Sequence, residues 1–247
     1  SRPGERPGPT VIVRMEENKE QAECGLPLWN FNMATWAAND SDILGLFADR
    51  GEWRLAKIGV QHAEYFDLPF SWLEQLRVEG HKALMLAGSA DVPSQVIEVD
   101  LNTGHWKSLK AAATLPVQQN YLSTPQAISF GTTDGEQAHA LFYPPHNPDY
   151  EVNNGNDELP PLIVRCHGGP TAATSTALEL KHQYWTSRGF AVVDVNYRGS
   201  TGYGRRFRKS LYGNWGVKDV ADAVNAALYL ADQDLVDRKR LFISGSS

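Results

Sequence analysis

The sequence predicts a doubly wound α/β sheet in the second half of the chain and a run of antiparallel strands in the first half. Short apolar strands alternate with helix-like segments after Pro125. Before Pro125, short aromatic strands alternate with polar turns. From Val217 onward, apolar residues recur at helical spacing. We therefore divide the chain into a first region, residues 1–124, and a second region, residues 125–247.

The strands of the first region predict part of a β-propeller. Trp29 and Trp72 open two groups of strands 43 residues apart, which is the spacing of four-stranded propeller blades. An ordinary antiparallel sandwich is the alternative. Two blades cannot close a ring, because propellers need about four to eight, so further blades are expected before Ser1. The predicted strands are 29–38, 43–48, 53–58, 72–78, 82–87, 95–100 and 105–109.

The second region begins with a predicted hairpin that joins 128–132 to 138–143 through Asp134 and Gly135. Three short, nearly continuous apolar segments follow, as expected for strands buried on both faces of a parallel sheet. One helix is predicted from 177 to 188, ending before Gly189. The other predicted helix has an apolar stripe. The three strands are 162–166, 191–195 and 241–243, and the stripe is Val217, Val220, Ala221, Val224, Leu228 and Ala231.

Composition excludes several classes of protein. The net charge of −6 argues against nucleic acid and anionic membrane surfaces as partners. No segment approaches the roughly 18 apolar residues of a membrane-spanning helix. Two cysteines, Cys24 and Cys166, are too few for a disulfide scaffold, and no set of ligands has metal spacing. Neither a metal nor a cofactor is predicted. The chain is expected to be a piece of a longer protein, with the cytoplasm as its default location.

The first candidate loop is His167-Gly168-Gly169-Pro170, directly after the predicted strand 162–166. Open α/β sheets bind ligands at the carboxyl ends of their strands. Paired glycines let the backbone approach a reacting group and present N–H groups to the oxyanion that forms when a carbonyl is attacked. A tight glycine turn before Pro170 is the alternative interpretation.

The second candidate loop is Gly245-Ser246-Ser247, directly after the predicted strand 241–243. In the nucleophile elbow G-x-S-x-G, a serine sits on a sharp turn between a strand and a helix. Counting from Gly245 makes Ser247 the nucleophile. A flexible loop is the alternative, because Gly-Ser-Ser alone is a weak motif.

Several segments of the second region occur together and in order. They are 142–145, 167–171, 184–190, 196–204 and 214–216 followed by Asp219 and Val220. With these segments, residues 125–247 resemble the first half of the catalytic domain of the prolyl oligopeptidase family of serine peptidases, and most resemble its dipeptidyl-aminopeptidase and acylaminoacyl-peptidase branch. The resemblance implies the N-terminal part of an α/β-hydrolase domain, preceded by the last blades of a β-propeller.

The resemblance also implies roles for individual residues. Ser247 would attack the scissile carbonyl of a small peptide, and the amide of Gly169 would help to hold the oxyanion. His167 and Gly168 would shape the loop, with His167 standing where prolyl oligopeptidases proper have Tyr. The Asp and His of the triad would follow Ser247, so the chain alone is expected to be inactive. Whether the protein forms a homo-oligomer is left open.

Two other functions stay open on the sequence alone. A carboxylesterase could use the same fold, although esterases commonly have a third glycine where this chain has Pro170. A binding protein could retain the fold without a triad.

Three smaller features are interpreted as structural. Cys166 is expected to be a core residue, and Asp194 and Asp219 are possible partners of nearby arginines. The basic cluster is expected to be a solvated or salt-bridged face. It comprises Arg198, Arg205, Arg206, Arg208 and Lys209.

Overall fold

The structure, a computed structural model, describes residues 23–27, 29, 31–59, 63–150 and 158–245. The strands in this part of the chain form two four-stranded antiparallel sheets and one five-stranded mixed sheet. Ser246 and the predicted nucleophile Ser247 lie outside the described residues. None of the described helices is long and apolar enough to cross a lipid bilayer.

The first sheet contains β1 (Trp36–Ala38), β2 (Ile43–Asp49), β3 (Glu52–Ile58) and β4 (Ala63–Tyr65), each paired with the next. The prediction of a strand from residue 29 was wrong, because the strand begins only at Trp36. Asn32 has a φ of 59°, which interrupts an extended chain. Trp72 is the first residue of a strand and Trp29 is not, so the 43 residues between them do not separate two equivalent strand starts.

The second sheet contains β5 (Trp72–Glu79), β6 (Lys82–Gly88), β7 (Gln95–Asp100) and β8 (Trp106–Ala111), again in chain order. These strands agree with the predicted ones to within two residues. The register of β5 on β6 shifts between Glu74 and Arg77, where Gln75 has a φ of 60°. This β-bulge places both Leu73 and Leu76 in the core, although regular alternation would put residues three apart on opposite faces.

The first two sheets share one hydrophobic core. Its fully buried side chains come from both sheets, and each sheet is a four-stranded meander, the form that propeller blades have. The described sheets do not form a closed ring. Core residues with at most 1% exposure are Leu44, Leu46, Leu55, Leu73, Leu76 and Ile97.

The third sheet has the strand order β13-β11-β12-β10-β9. The hairpin strands β9 and β10 are antiparallel, and β10 pairs antiparallel with β12. In contrast, β11 is parallel to both β12 and β13. A mixed sheet with a parallel centre confirms the α/β class of the second region. The strands are β9 (Gln126–Gly131), β10 (Gln137–Tyr143), β11 (Leu162–Cys166), β12 (Ala191–Asn196) and β13 (Leu241–Gly245).

Helices cover both faces of this sheet. The first, α1 (Leu180–Thr186), lies on the face where Trp185 packs against a small core that includes Ile163. It is shorter than predicted, because hydrogen bonds from Thr174 and Thr176 hold the preceding segment out of the helix. A short helix, α2 (Gly204–Lys209), was not predicted.

The longest helix, α3 (Lys218–Asp232), packs on the opposite face of the sheet. The predicted helix is confirmed. Of its apolar stripe, Ala231 is buried, whereas Val217, Val220 and Val224 are all more than half exposed. The side chains that face the sheet are mostly small and include one polar residue, which allows close packing and admits a buried carboxylate. They are Asp222, Ala223, Ala226, Ala227, Leu230 and Ala231.

Candidate active site

The two predicted loops leave neighbouring parallel strands at the same level of the mixed sheet. Cys166, the last residue of β11, lies opposite Gly245, the last residue of β13. The loop that begins at His167 therefore starts beside the end of β13. A Cβ atom on Gly245 would lie 3.2 Å from the carbonyl oxygen of Cys166, so glycine permits this close approach. This edge is where open α/β sheets bind their ligands.

Gly169 adopts a conformation that other residues avoid. Its φ is +48°, and a Cβ atom at this position would lie 3.0 Å from the Cζ2 atom of Trp29. The carbonyl of Gly169 accepts a hydrogen bond from the amide of Ala172 at 2.8 Å, which closes a tight turn. The N–H of Gly169 donates to no other residue in the part of the chain that the structure describes.

His167 holds the loop by contacts with the segment after β12. Its Nε2 lies 2.7 Å from the Oγ of Ser200, and its ring stacks on Tyr197 at 4.3 Å between centroids. Ser200 donates its hydroxyl proton to the carbonyl of Tyr197 at 2.7 Å. Burial lowers the pKa of His167, which favours the neutral ring.

The contact between His167 and Ser200 is not an accessible pair of nucleophile and base. Ser200 has no exposed surface, and its proton is already committed to a backbone carbonyl. Gly168, the neighbour of His167, places its carbonyl oxygen 3.1 Å from Nδ1 of the same ring. These contacts give the His-Gly pair a role in fixing the shape of the loop.

Buried polar side chains tie the rest of the loop to β12. The amide of Thr174 donates to the Oδ1 of Asn196 at 2.8 Å, and its hydroxyl donates to the Oδ2 of Asp194 at 2.6 Å. The same Asp194 oxygen lies 3.3 Å from Nε2 of His182. The suggested pairing of Asp194 with an arginine was therefore wrong. These bonds hold the loop in one conformation before any ligand arrives.

Arg198, two residues after β12, is the largest fully buried side chain. Its Nη2 donates to Asp222 at 2.8 Å, and its Nη1 donates to Glu136 at 2.9 Å. The hydrogen bond from Arg198 lowers the pKa of Glu136. Arg198 is thus salt-bridged rather than solvated, and its partners are Asp222 and Glu136. The other suggested partner, Asp219, instead accepts the amide of Gly216 at 2.7 Å.

Trp29 brings the first region to the candidate site. Its indole N–H donates to the Oγ1 of Thr171 at 2.9 Å, across 142 residues of sequence. Its ring covers Gly169 and also lines a cavity of about 190 Å³ between the first two sheets and the loop. Nothing in the local sequence around Trp29 indicates this contact, because it depends on how the two regions pack.

Cys166 is a structural residue, as predicted. Burial raises the pKa of its thiol to about 11, so the thiol stays protonated at neutral pH. Across residues 23–245, leaving out the few positions that are not described, no group of three His, Cys, Asp or Glu side chains is arranged to hold a metal ion.

Comparison with known proteins shows which proteins the chain resembles. Residues 176–247 match the sequence profile of the prolyl oligopeptidase family. This part of the chain is therefore similar to that family. Its relatives include the uncharacterized peptidase YuxL of Bacillus subtilis, which is 31% identical over 64% of this chain and 23% of its own length. Acylamino-acid-releasing enzyme 2 of Oryza sativa is 27% identical over 78% of this chain and 26% of its own length.

Solved structures of two peptidases share the fold of this chain. A puromycin-hydrolyzing peptidase of Mycobacterium tuberculosis superposes with a TM-score of 0.85 and 38% identity, covering 92% of this chain and 35% of its own. A puromycin hydrolase superposes with a TM-score of 0.88 and 36% identity, and the match covers 96% of this chain and 35% of the hydrolase. A mutant of a puromycin hydrolase was solved in complex with PGG. The chain thus spans about a third or less of the length of these relatives.

Proposed function

We propose that the protein is a serine peptidase that hydrolyses short peptides, with Ser247 as its nucleophile. The register of the mixed sheet carries this proposal, because Cys166 and Gly245 are paired on parallel strands. Ser247 follows Gly245 by two residues and Gly169 follows Cys166 by three. A serine on a turn after β13 and an amide in the loop after β11 are the two parts that α/β-hydrolases bring together.

In the proposed reaction, the Oγ of Ser247 attacks the scissile carbonyl carbon while a histidine beyond Ser247 takes its proton. The carbonyl oxygen becomes an oxyanion, which accepts hydrogen bonds from the amide of Gly169 and from the amide after Ser247. The leaving amine then receives the proton from the histidine, and the acyl group remains on Ser247. Water releases the acyl group by the same sequence of steps.

The domain arrangement is part of the proposal. The two four-stranded meanders would be the last blades of a propeller ending near residue 124, and residues 125–247 would form the N-terminal part of an α/β-hydrolase domain. The shared fold with the puromycin-hydrolyzing peptidases supports this division, since their structures match most of the chain. The names of the relatives, which include an acylamino-acid-releasing enzyme, favour small peptides as substrates.

The full-length protein tests the proposal through two neighbouring serines. A fluorophosphonate probe should label the wild-type protein and Ser246→Ala stoichiometrically, and it should not label Ser247→Ala. Hydrolysis of an aminoacyl anilide should follow the same pattern. Labelling of Ser247→Ala but not Ser246→Ala would place the nucleophile one residue earlier. Turnover of a p-nitrophenyl ester without any anilide turnover would make the protein an esterase, and no labelling at all would indicate a binding protein.

A further inference from the structure

His182 is a fully buried histidine that the proposed reaction does not use. It lies on α1 with 1% of its surface exposed, and neither ring nitrogen has a hydrogen-bond partner among the described residues. Its Nε2 lies 3.3 Å from the Oδ2 of Asp194, and the contact is an ion pair when the ring carries a proton. Burying ring nitrogens without hydrogen bonds is costly, so the contact with Asp194 is the feature of this ring that needs an explanation.

The titratable groups around this pair come from the neighbouring strands and from the start of α1. On β10, the ring of Tyr143 lies 4.7 Å from that of His182, and burial raises its pKa, as do the charges of Asp194 and Glu179. Tyr143 therefore stays neutral. On β11, Arg165 lies opposite Asp194 in the register, and its buried Nε has no hydrogen-bond partner in the described part of the chain. Within that part, the ion pair that Asp194 forms is with His182.

Asp194 connects His182 to the loop after β11. The oxygen that contacts His182 also accepts the hydroxyl proton of Thr174 at 2.6 Å. Asn196, two residues further along β12 and on the same face, holds the backbone of Thr174. Its Oδ1 accepts the amide of Thr174 at 2.8 Å, and its Nδ2 donates to the carbonyl at 3.4 Å. Thr174 is thus held by three hydrogen bonds to two buried side chains of β12.

Thr174 ends the segment that begins with the proposed oxyanion donor, residues 169–174, which we call the oxyanion loop. Thr201 holds the middle of this loop, because its hydroxyl donates to the carbonyl of Thr171 at 2.6 Å and its amide donates to the carbonyl of Ala172 at 3.0 Å. The amide of Ala172 in turn closes the turn on Gly169. A displacement of about 1 Å in a positioned group can cost about 100-fold in rate. The anchor at Thr174 therefore bears on the position of the Gly169 amide.

We infer that His182 is a positioning residue that holds the oxyanion loop through Asp194 and Thr174. The ion pair fixes the carboxylate of Asp194, the carboxylate fixes the hydroxyl of Thr174, and Thr174 keeps the turn that presents the amide of Gly169. This inference rests on the proposed function and deepens it, because it adds a residue that acts from behind the loop. Since the pair attracts most strongly when the ring carries a proton, the hold should weaken as pH rises through about pH 5 to 8, where histidines titrate.

Kinetics of the full-length protein test the link between Thr174 and the loop. Thr174→Val removes the hydroxyl at nearly constant volume, so kcat for an aminoacyl anilide should fall about ten-fold while KM changes by less than about two-fold. Thr174→Ser keeps the hydroxyl and should retain the kcat of the wild type. Thr186→Val is the control, because Thr186 is fully buried on α1 and its hydroxyl donates to the carbonyl of Gln183. The control should leave kcat unchanged.

A second variant tests whether His182 acts through this link. His182→Phe keeps a ring against Tyr143 and removes the ion pair, so kcat should fall about three-fold at pH 6 and less at pH 8. The ratio of wild-type kcat to variant kcat cancels the titration of the catalytic histidine, which both proteins share. In the double variant, kcat should equal that of Thr174→Val alone. Additive losses, a change in KM as large as that in kcat, or a ratio that is constant with pH would overturn the inference.

Amide hydrogen exchange, measured by mass spectrometry, separates this inference from the proposed function because it needs no turnover. In the Ser247→Ala background, Thr174→Val and His182→Phe should each speed the exchange of the amides in the oxyanion loop about five-fold or more, and Thr186→Val should not. Unchanged exchange in this loop would overturn the inference even if kcat fell. Faster exchange in a protein whose Ser247 no fluorophosphonate labels would support the hold on the loop and refute the proposed nucleophile alone.

Discussion

Asp222 and Glu74 are both carboxylates withdrawn from water near the candidate site, but their surroundings differ. Asp222 is fully buried on α3, and it accepts hydrogen bonds from the side chain and the backbone amide of Arg198. Glu74, on the bulged strand β5, is half-buried and has no described cationic partner. The carboxylate of Asp222 is satisfied within the protein, whereas that of Glu74 has no hydrogen-bond partner among the described residues. A satisfied buried charge indicates a structural role, and an unsatisfied carboxylate carries a desolvation cost.

The largest effect is expected from breaking the satisfied arrangement. Asp222→Ala leaves the guanidinium of Arg198 buried with only part of its hydrogen bonding, which should lower the free energy of unfolding by about 3–5 kcal/mol. Asp232→Ala is the matched control on the same helix, since Asp232 pairs with Arg238 at an exposed position. The control should cost about 1 kcal/mol or less. Urea unfolding of the full-length protein measures the free energy of unfolding of both variants. Similar decreases for Asp222→Ala and Asp232→Ala would show that the buried pair with Arg198 has no special structural role.

This contrast also shows how far the sequence leads. The alternation of strands and helices, the hairpin at Asp134 and the strands of the second sheet were all predicted, because each is set by local spacing and turn residues. The sequence also predicted that both candidate loops follow strands of one sheet, and β11 and β13 are neighbours in it. The spacing of the apolar residues predicted α3 but did not show which of them face the sheet, because its valines are exposed while its alanines and Asp222 occupy the interface.

The contacts that the sequence did not predict are those between distant segments. The bond from Trp29 to Thr171 and the pairing of Arg198 with Asp222 join residues whose neighbours carry no signal for each other. Among the residues that the structure describes, no lysine or arginine lines the cavity beside Glu74, and nothing in the sequence of β5 indicates this. Such facts depend on tertiary packing and require the structure.

A second prediction concerns Gly169, in the loop that follows β11. Gly169→Ala forces a methyl group against the ring of Trp29 and strains a residue with positive φ, so the amide should shift away from its position. Because one oxyanion donor contributes about 100-fold or more to kcat, we expect kcat for an aminoacyl anilide to fall about 100-fold. Gly131→Ala is the control, as a Cβ atom there meets nothing within 4 Å.

The companion variant distinguishes crowding from backbone strain at Gly169. Adding Trp29→Ala to Gly169→Ala removes the clash but leaves the positive φ, so it should restore only part of kcat. A kcat for Gly169→Ala within two-fold of the wild type would show that this amide does not hold the oxyanion.

The smallest change in the free energy of unfolding is expected for Glu74→Gln. This substitution should stabilise the protein, whereas Asp222→Ala should destabilise it. Burial raises the pKa of Glu74, so the folded protein retains a proton on this group over a pH range in which the unfolded chain has lost it. Stability should therefore fall as pH rises through that range, from the ordinary glutamate pKa to the raised one. Glu74→Gln removes the cost of the buried charge and should stabilise the protein at neutral pH by about 1 kcal/mol or less. Melting curves of the wild type and Glu74→Gln, recorded without ligand from pH 4 to pH 8, should converge at the acidic end and separate as pH rises. A constant difference across that range, or a less stable Glu74→Gln at pH 8, would mean that Glu74 has a stabilising partner.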